Sequence, residues 1–478
     1  MYPSFRAMLL QSISLSACLL SSLCGCAKDP PRSSGLPVQA ADASRPADTA
    51  APVSGTVAIS AAAETRKPRP NTGLGTSYWS WSPTYGNAVA GSEAQILPLA
   101  PFVVRAGGYN NDANFPDNFD EKQIDLAVAY AQAINADLIL QVPLLAADNT
   151  GAPATAETAA AMVSYVNVTK KYGVKYFSIG NEPDLYPDAK APTKGIEKYT
   201  AEAFCADAQA YVTAMKLVDD SIKIVGPDLS WKYQTGTNDW LTPILTNCGS
   251  LFDIVAIHRY PIDPTQTTIL NAAADAPSLR AVIAHIRSIL QTTGYPDKPL
   301  AITECNITWD GDPTKGTRPA SPGTVPAGLW AADAFGVGLE TGLWATVYWS
   351  IREGWTLGLL ATIGGKPQPA YWAFDLYATH FGPTLVSVLA TPPGVRAYAS
   401  RNQADDGTQV IVVNWNNAEA TLTFTVDGLA TIPTPPTFVL PALAFGAVEI
   451  PDTSAASAWS YGETQHQALV APEPLPAP

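Results

Sequence analysis

The stretch Tyr176-Phe177-Ser178-Ile179-Gly180-Asn181-Glu182-Pro183 joins a short apolar run to a polar pair and a proline. The apolar part is typical of a buried strand. Pro183 has a fixed φ and disfavours the right-handed helical conformation at Glu182, so this carboxylate should lie where a strand turns into a loop. A glutamate in that position is costly for folding and useful for chemistry.

A second stretch, Leu300-Ala301-Ile302-Thr303-Glu304-Cys305-Asn306, repeats this pattern of an apolar run that ends in a glutamate. The two glutamates are 304 − 182 = 122 residues apart. That separation leaves room for about three strand-plus-helix units of a (β/α)8 barrel. We therefore predict that the two carboxylates face one pocket.

Eight short apolar segments alternate with helical patterns between residues 71 and 370, and this alternation predicts a parallel (β/α)8 TIM barrel. Besides the opening stretch, strands are expected at 74–81, 102–106, 137–142, 222–226, 252–258, 300–303 and 344–349. The active site of such a barrel lies at the C-terminal ends of its strands. The polar and aromatic residues there are Trp79, Trp81, Arg105, Gln141, Asn181, Glu182, Asp228, His258, Tyr260, Glu304 and Trp349.

The pattern changes after about residue 371, where short segments alternate apolar and polar residues between Asp, Asn and Gly turns. This predicts a small antiparallel β-sandwich domain over 371–452. Residues 371–381 are too apolar for a free linker, so the barrel and the β domain should fold as one unit. Residues 453–478 are predicted to be a loose tail.

The first 26 residues are predicted to be an export signal, with Arg6 followed by an apolar run. Its end, Leu23-Cys24-Gly25-Cys26, resembles a bacterial lipobox, which implies that Cys26 is lipidated and that the protein is an outer-membrane lipoprotein. An ordinary secretory signal is the alternative. Residues 27–70 are rich in Pro, Ala, Ser and Asp, and a disordered tether is predicted there.

The formal net charge of −14 argues against nucleic acid or anionic lipid as a direct partner. A lipid anchor would then be the only contact with a membrane. Outside the leader the cysteines are Cys205, Cys248 and Cys305. Export permits a Cys205–Cys248 disulfide, and three free thiols are the alternative. Since no cysteine spacing matches a zinc or iron–sulfur site, neither a metal nor a cofactor is predicted.

These strand-end residues resemble those of the clan A retaining glycoside hydrolases, which are (β/α)8 enzymes. The resemblance covers about residues 71–450. It implies that the Glu of the Asn181-Glu182 pair is the acid/base and that Glu304 is the nucleophile. It also implies that substrate is bound by Asn181, Arg105, His258, Tyr260, Trp349, Trp79 and Trp81. Tyr371-Trp372-Ala373-Phe374, which leads into a β domain, resembles the β-xylosidase-like and the β-glucuronidase or heparanase-like branches.

Cleavage of a glycosidic bond needs a proton donor at the leaving oxygen and a group that meets the cationic sugar carbon. Two carboxylates about 5–5.5 Å apart do this with retention of configuration, and a wider gap gives inversion. Arg105 and Tyr260 would keep Glu304 ionised, and Asn181 would contact the sugar 2-hydroxyl. The tryptophans offer flat apolar faces on which a sugar can stack.

Other candidate motifs are weaker. The acidic stretch 110–121 lacks the glycine and the ligand spacing of a calcium loop, so we interpret it as a loop that ends in a helix cap at Asp120. Asp184 is interpreted as a loop carboxylate, and residues 309–312 either line the cleft or form a turn. The sequence thus predicts a monomeric, surface-anchored retaining β-glycosidase that acts on a polysaccharide or its oligosaccharides. A non-catalytic glycan-binding lipoprotein is the alternative.

Overall fold

The computed structural model describes residues 51–476, except 69–72, 80–88, 114–120, 146–153, 189–198, 234–238, 313–318, 354–355, 363 and 432. In chain order the strands are β1 Val53–Ser60, β2 Lys67–Pro68, β3 Gly73–Tyr78, β4 Val103–Ala106, β5 Asp137–Val142, β6 Tyr176–Ile179, β7 Lys223–Leu229, β8 Ile254–Arg259, β9 Leu300–Cys305, β10 Ala345–Tyr348, β11 Thr384–Ala390, β12 Val395–Arg401, β13 Gly407–Asn414, β14 Ala420–Asp427, β15 Thr437–Leu440, β16 Ala444–Pro451, β17 Ser457–Tyr461 and β18 Glu473–Pro474.

The α-helices of the described chain follow most of the barrel strands and pack around them. They are α1 Glu93–Ile96, α2 Tyr109–Ala113, α3 Glu121–Ala133, α4 Ala156–Val163, α5 Ala201–Val218, α6 Leu241–Cys248, α7 Ile269–Thr292, α8 Val325–Glu340, α9 Pro369–His380 and α10 Glu463–Ala468.

Strands β3 to β10 form a closed barrel in which every neighbouring pair is parallel and β10 pairs with β3. The predicted TIM barrel is confirmed. Side chains fill its N-terminal end with apolar groups, among them Val103, Ile139 and Val225. The Trp344 ring closes this end, with its centroid 5.2 Å from Phe102 and 5.0 Å from Tyr176. The polar residues therefore lie at the opposite, C-terminal end.

The second domain is a sheet with the strand order β15-β14-β1-β11-β12-β13-β16-β17-β18. Its strands pair antiparallel, except for β1 and β14, which run parallel. Side chains from both halves of the sheet meet in one hydrophobic cluster, so the sheet encloses a core of its own. The predicted antiparallel β domain after the barrel is confirmed.

The predicted tether over 27–70 is wrong for its last part. Residues 53–60 form β1, which lies inside the sheet between β14 and β11. Val57 and Ile59 are fully buried. The segment has the small, polar composition of a linker, but its apolar residues recur at every second position, which is the period of a half-buried strand. Residues 27–50 lie outside the described part of the chain.

Two further domain boundaries differ from the sequence-based prediction. Residue 371 lies inside helix α9, which packs against α8 on the barrel, with the Tyr377 hydroxyl donating to the Ala332 carbonyl oxygen at 2.9 Å. The predicted loose tail forms β17, α10 and β18. Tyr461 is buried there, 5.3 Å from the Phe445 ring.

A buried carboxylate joins the two domains. Asp333 of α8 accepts hydrogen bonds from the Trp415 indole at 2.7 Å and the Tyr398 hydroxyl at 2.9 Å, and it forms an ion pair with Arg396. All three donors belong to the β domain. The contact agrees with folding as one unit, which stays a prediction.

Of the two alternatives for the cysteines, the structure has the disulfide. Cys205 of α5 is bonded to Cys248 of α6, and Cys305 is free and buried. Within the described residues, no helix is both long enough and apolar enough to span a membrane.

The position of β1 predicts how deletions at the N-terminus affect the thermal stability of the protein. Deletion of residues 1–50 should leave the melting temperature unchanged, as expected for a signal and a tether. Deletion of residues 1–62 should lower it by about 10 °C or more, because β11 and β14 lose their shared neighbour and two buried side chains, each contributing about 1.5–3 kcal/mol. Differential scanning calorimetry of the two proteins makes the comparison. Equal melting temperatures would show that β1 does not stabilise the domain.

Candidate active site

Glu182 follows β6 in a turn that its neighbours make possible. Gly180 has φ 70°, and a Cβ at this position would lie 2.7 Å from the Tyr186 hydroxyl oxygen. Glu182 itself has φ 51°, in the left-handed region rather than the extended one, and this conformation costs about 1–3 kcal/mol for a residue other than glycine. Its N–H donates to the Asp228 carbonyl oxygen at 3.1 Å. The strained turn places the carboxylate at the mouth of the barrel.

The two glutamates that the sequence singles out face each other. One oxygen of Glu182, one oxygen of Glu304 and a ring nitrogen of His258 all lie within 4.8 Å of one another. The Glu182 side chain is 17% exposed and that of Glu304 is 9% exposed. The two carboxylates thus share one small and mostly buried space.

Arg105 of β4 lies beneath them and has no exposed surface. Its Nη1 donates to Glu304 Oε2 at 2.9 Å, and its Nη2 donates to Asn181 Oδ1 at 2.8 Å and to Asp228 Oδ2 at 3.2 Å. Burial alone would lower the pKa of Arg105, but the charges of Asp228 and Glu304 raise it above its usual value. The guanidinium is therefore a permanent cation under the site.

Glu304, at the end of β9, has a donor for each of its oxygens. Besides the bond from Arg105, Oε1 accepts from the Tyr260 hydroxyl at 2.5 Å. Burial raises the pKa of Glu304 above its ordinary value, although the positive charges of His258 and Arg105 act to lower it. The two donors orient the carboxylate and favour its ionised form.

His258 contacts Glu182 more closely than Glu304. Its Nδ1 lies 3.0 Å from Glu182 Oε1 and 3.9 Å from Glu304 Oε2. The ring is fully buried, which lowers its pKa, but the two glutamates more than offset this effect and raise the pKa above the ordinary value. The sequence placed His258 with the substrate-binding residues, and the structure places it beside the predicted acid/base.

Trp349 and Trp79 lie together on one side of the site, in an apolar cluster with Leu357 and Tyr260. Trp349 is mostly buried, and its ring closely approaches the backbone at Gly108, where a Cβ would be 2.5 Å from the ring. Trp81 lies outside the described residues. The structure therefore brings together every other predicted site residue of the barrel.

Three residues of the site were given no role in the sequence analysis, although Gln141 and Asp228 were named there as strand-end residues. Asp228 accepts from the Thr303 hydroxyl at 2.5 Å as well as from Arg105, and Gln141 Oε1 accepts from the Gly108 N–H at 2.7 Å. Their signal was present, since Asp228 and Gln141 are polar residues at strand ends. Glu353 had no such signal, because it follows β10 by several residues. Its Oε2 accepts from the Trp349 indole N–H at 2.5 Å.

The other acidic candidates have structural partners. Asp184 accepts from the backbone N–H groups of residues 230, 231 and 232, as expected for a loop carboxylate. Asp112, in the stretch compared with a calcium loop, accepts from the Asn181 N–H at 3.1 Å and from the Leu144 N–H at 2.7 Å. It thereby orients the turn that carries Glu182.

The predicted cap at Asp120 lies outside the described residues, and Asp310 accepts from the Asp312 N–H in a turn.

The glutamate pair and His258 are spaced closely enough to coordinate a metal ion. However, both oxygens of Glu304 already accept strong hydrogen bonds, and the adjacent Arg105 cation repels a second positive charge. The donor set suits proton transfer and nucleophilic attack better than it suits coordination.

Comparisons with known proteins agree with this chemistry. Residues 109–318 match the family model described as a glycosyl hydrolase catalytic core. The chain is similar to a probable α-L-arabinofuranosidase C of Aspergillus terreus, with 30% identity over 30% of this chain and 30% of that protein. An α-L-arabinofuranosidase C of Emericella nidulans is 26% identical over the same shares. The alignments thus span less than a third of these curated relatives.

The fold is shared with solved structures. One is an α-L-arabinofuranosidase from Thermotoga maritima in an arabinose complex, with 15% identity over 83% of this chain and 98% of that chain and a TM-score of 0.60. Another is a Paenibacillus polymyxa xyloglucanase of glycoside hydrolase family 44, with 14% identity over 84% and 100% and a TM-score of 0.62. The family-model match and the curated relatives together support a glycoside hydrolase.

The hydrogen bonds of Arg105 predict a pH-dependent loss of stability on its removal. In Arg105→Met the carboxyl of Glu304 loses its buried cation, so its pKa in the folded state rises further. A carboxyl with a folded-state pKa above its unfolded value of about 4.3 costs stability as the pH rises through that interval. The loss in free energy of unfolding should therefore be about 3–5 kcal/mol at pH 7 and smaller at pH 4.

Urea unfolding at both pH values measures this difference. Arg105→Lys, which keeps the charge but not the planar fork, is the matched control and should show a smaller dependence on pH. An equal loss for Arg105→Met at pH 4 and pH 7 would mean that the charge of Arg105 does not stabilise Glu304.

Proposed function

We propose that the protein is a retaining glycoside hydrolase that uses Glu182 and Glu304 in a double displacement. The observation that carries this proposal is the separation of the two carboxylates, whose oxygens lie within 4.8 Å of each other. Retaining enzymes have carboxyl groups about 5–5.5 Å apart, whereas inverting enzymes need about 6.5–9.5 Å to place a water molecule between one carboxylate and the sugar. This close approach of the two carboxylates favours the first arrangement.

In the first step Glu304 attacks the anomeric carbon while Glu182 protonates the leaving oxygen. Arg105 and Tyr260 hold Glu304 through one donor on each oxygen, so the nucleophile needs no reorientation. The bond from the anomeric carbon to the leaving oxygen breaks, and a covalent ester between the sugar and Glu304 forms.

In the second step water replaces the leaving group. Glu182, now deprotonated, takes a proton from the water, the water oxygen attacks the anomeric carbon, and Glu304 is released as a carboxylate. His258 lies 3.0 Å from Glu182, where an imidazole N–H can stabilise the negative charge that Glu182 carries between the two steps. Two inversions give retention of configuration overall.

Asn181 is prepared for contact with the sugar. Its Oδ1 accepts from Arg105 at 2.8 Å, so the amide is held in one orientation, with Nδ2 free of hydrogen bonds to the described residues. Nδ2 can then donate to the 2-hydroxyl of the sugar, a contact that strengthens in the transition state. The rings of Trp349 and Trp79 provide the apolar wall of the same subsite.

For the substrate we propose a β-glycoside or an α-L-arabinofuranoside of a plant or microbial polysaccharide, or of its oligosaccharides. The β-glycoside follows from the resemblance of the strand-end residues, and the arabinofuranoside follows from the names of the relatives and of the structural neighbours. A panel of aryl α-L-arabinofuranosides, β-D-xylosides, β-D-glucosides and β-D-glucuronides, together with xyloglucan and arabinan, would identify the preferred sugar.

The roles of the two glutamates predict variants that differ in kind. Glu304→Ala should lose activity on every substrate, and azide should restore some turnover with inverted product, because azide fills the space of the missing nucleophile. Glu182→Ala should lose about 10²–10⁴-fold on substrates with poor leaving groups, should retain much activity on activated aryl glycosides, and should form the azide adduct with retained configuration.

Proton NMR of the first product formed by the intact enzyme gives the stereochemistry directly. Glu202→Ala, an exposed glutamate on α5, is the control for a change of charge alone and should behave as the native protein does. An inverted product from the intact enzyme would reject the mechanism, and glycan binding without hydrolysis across the panel would favour the non-catalytic alternative.

We also propose that the mature protein is an outer-membrane lipoprotein, monomeric and attached through Cys26. The lipobox-like end of the leader supports this proposal. Cys26→Ser should abolish incorporation of labelled palmitate and move the protein from the membrane fraction to the soluble fraction. A variant that stays with the membranes would contradict the anchor, and Cys305→Ser, at a buried thiol, serves as the control.

A further inference from the structure

Only one of the two oxygens of the Glu353 carboxyl group accepts a hydrogen bond from the described residues. Its Oε2 accepts from the Trp349 indole N–H at 2.5 Å, and Oε1 makes no hydrogen bond to the described residues. The buried hydroxyl of Ser350, at the same strand end, makes no hydrogen bond of full geometry to the described residues, but it lies close enough to Glu353 to act on the pKa of its carboxyl. Glu353 as a whole residue is partly accessible.

Glu353 lies close to the reacting centre. The Trp349 ring that it holds packs against Tyr260, and the Tyr260 hydroxyl donates to Glu304 at 2.5 Å. The charge of Glu353 also acts on both neighbours, since it contributes to the raised pKa of Tyr260 and the charge of Glu304 contributes to the raised pKa of Glu353. Glu353 therefore lies in the immediate surroundings of the two residues that hold or form the reacting carboxylate.

The protonation state of Glu353 determines what its free oxygen can do. Burial, reinforced by the charge of Glu304, raises the pKa of Glu353 to about 8, although the Trp349 bond and the nearby Ser350 hydroxyl oppose the shift. The carboxyl is then mostly neutral at pH 7. Because Oε2 accepts from the indole, the proton belongs on Oε1, which becomes a hydrogen-bond donor directed away from Trp349.

We propose that Glu353 is a specificity-determining residue that binds a hydroxyl group of the sugar lying against Trp349, with Oε1 as the donor. This inference rests on the proposed glycosidase function and adds a third carboxyl to the site. Glu353 would select for sugars that carry a hydroxyl at the position it reaches. A deoxy sugar would leave its buried O–H unpaired, which is the kind of mismatch that polar sites reject most strongly.

The competing role for Glu353 is indirect, as a positioning residue that merely holds the indole of Trp349. The two roles differ in what each variant should do. Trp349→Phe keeps an aromatic face but removes the indole N–H. If Glu353 acts only through Trp349, then Glu353→Ala should have no further effect in the Trp349→Phe background.

The test uses the full chain and the aryl glycoside that the intact enzyme hydrolyses best. Glu353→Ala should raise KM about ten-fold or more, as expected for the loss of one hydrogen bond to substrate, with kcat within about three-fold. The same increase in KM should be seen in the Trp349→Phe background. Glu353→Gln, whose amide oxygen can accept from Trp349 and whose NH₂ can donate to the sugar, should keep KM within about three-fold of the native value.

The pH profile gives a second readout. The titratable groups that face Glu353 are Glu304 of β9 and Tyr260 beyond β8, and the charged Arg352 precedes it in sequence. Ionisation of Glu353 removes the donor and adds a negative charge beside Glu304, so KM of the native enzyme should rise above about pH 8. In Glu353→Gln this rise should be absent, whereas any effect of Glu304 or Tyr260 would remain.

Each outcome decides one question. An unchanged KM in a folded Glu353→Ala enzyme, a Glu353→Gln enzyme as weak as Glu353→Ala, or complete non-additivity with Trp349→Phe would overturn the binding role while leaving the glycosidase standing. Absence of hydrolysis of every glycoside by the intact protein would reject the proposed function, and this inference with it.

Discussion

The buried guanidinium of Arg105 is the constraint on which the rest of the site depends. A cation without exposed surface costs several kcal/mol in desolvation, and only well-placed acceptors offset that cost. The acceptors Glu304, Asn181 and Asp228 come from the ends of three different barrel strands or the turns that follow them. They reach one guanidinium only when the barrel is closed in the correct register. Closure of the fold and assembly of the site are therefore the same event.

The barrel separates stability from chemistry along its axis. Its N-terminal end is filled by apolar side chains and closed by Trp344. Its C-terminal end holds carboxylates, a histidine and an arginine so close together that their charges affect the pKa of His258 and the pKa of Glu304. The strain of Glu182 and the raised pKa values of Glu304 and Glu353 are costs of that crowding. The apolar end and the disulfide-linked outer helices supply the stability that offsets them.

The alternation of strand and helix patterns and the positions of polar residues at strand ends were enough to predict the barrel, because both can be read from short stretches of sequence. The apolar runs that end near Glu182 and at Glu304 can each be recognised from about eight residues of sequence. Because the active site of a (β/α)8 barrel lies at the C-terminal ends of its strands, the two distant glutamates are then predicted to lie together. The failures have a different origin. Residues 53–60 alternate only small apolar and polar residues, and residues 457–461 show no regular alternation. Both segments pair with strands from other parts of the chain. Glu353 lies beyond a strand end, so only the three-dimensional path of its loop places it beside Glu304.

The placement of β1 has a consequence for the order in which the chain can mature. A central strand of the C-terminal sheet comes from the start of the chain, and its partners lie more than three hundred residues later. During synthesis this first segment therefore stays without its sheet partners until most of the chain has been made. Contacts of such long range slow folding, because the entropy of closing a long loop is lost before the contacts stabilise the chain. The β domain is thus the last part of the molecule to be completed, although it contains one of the first strands to be made.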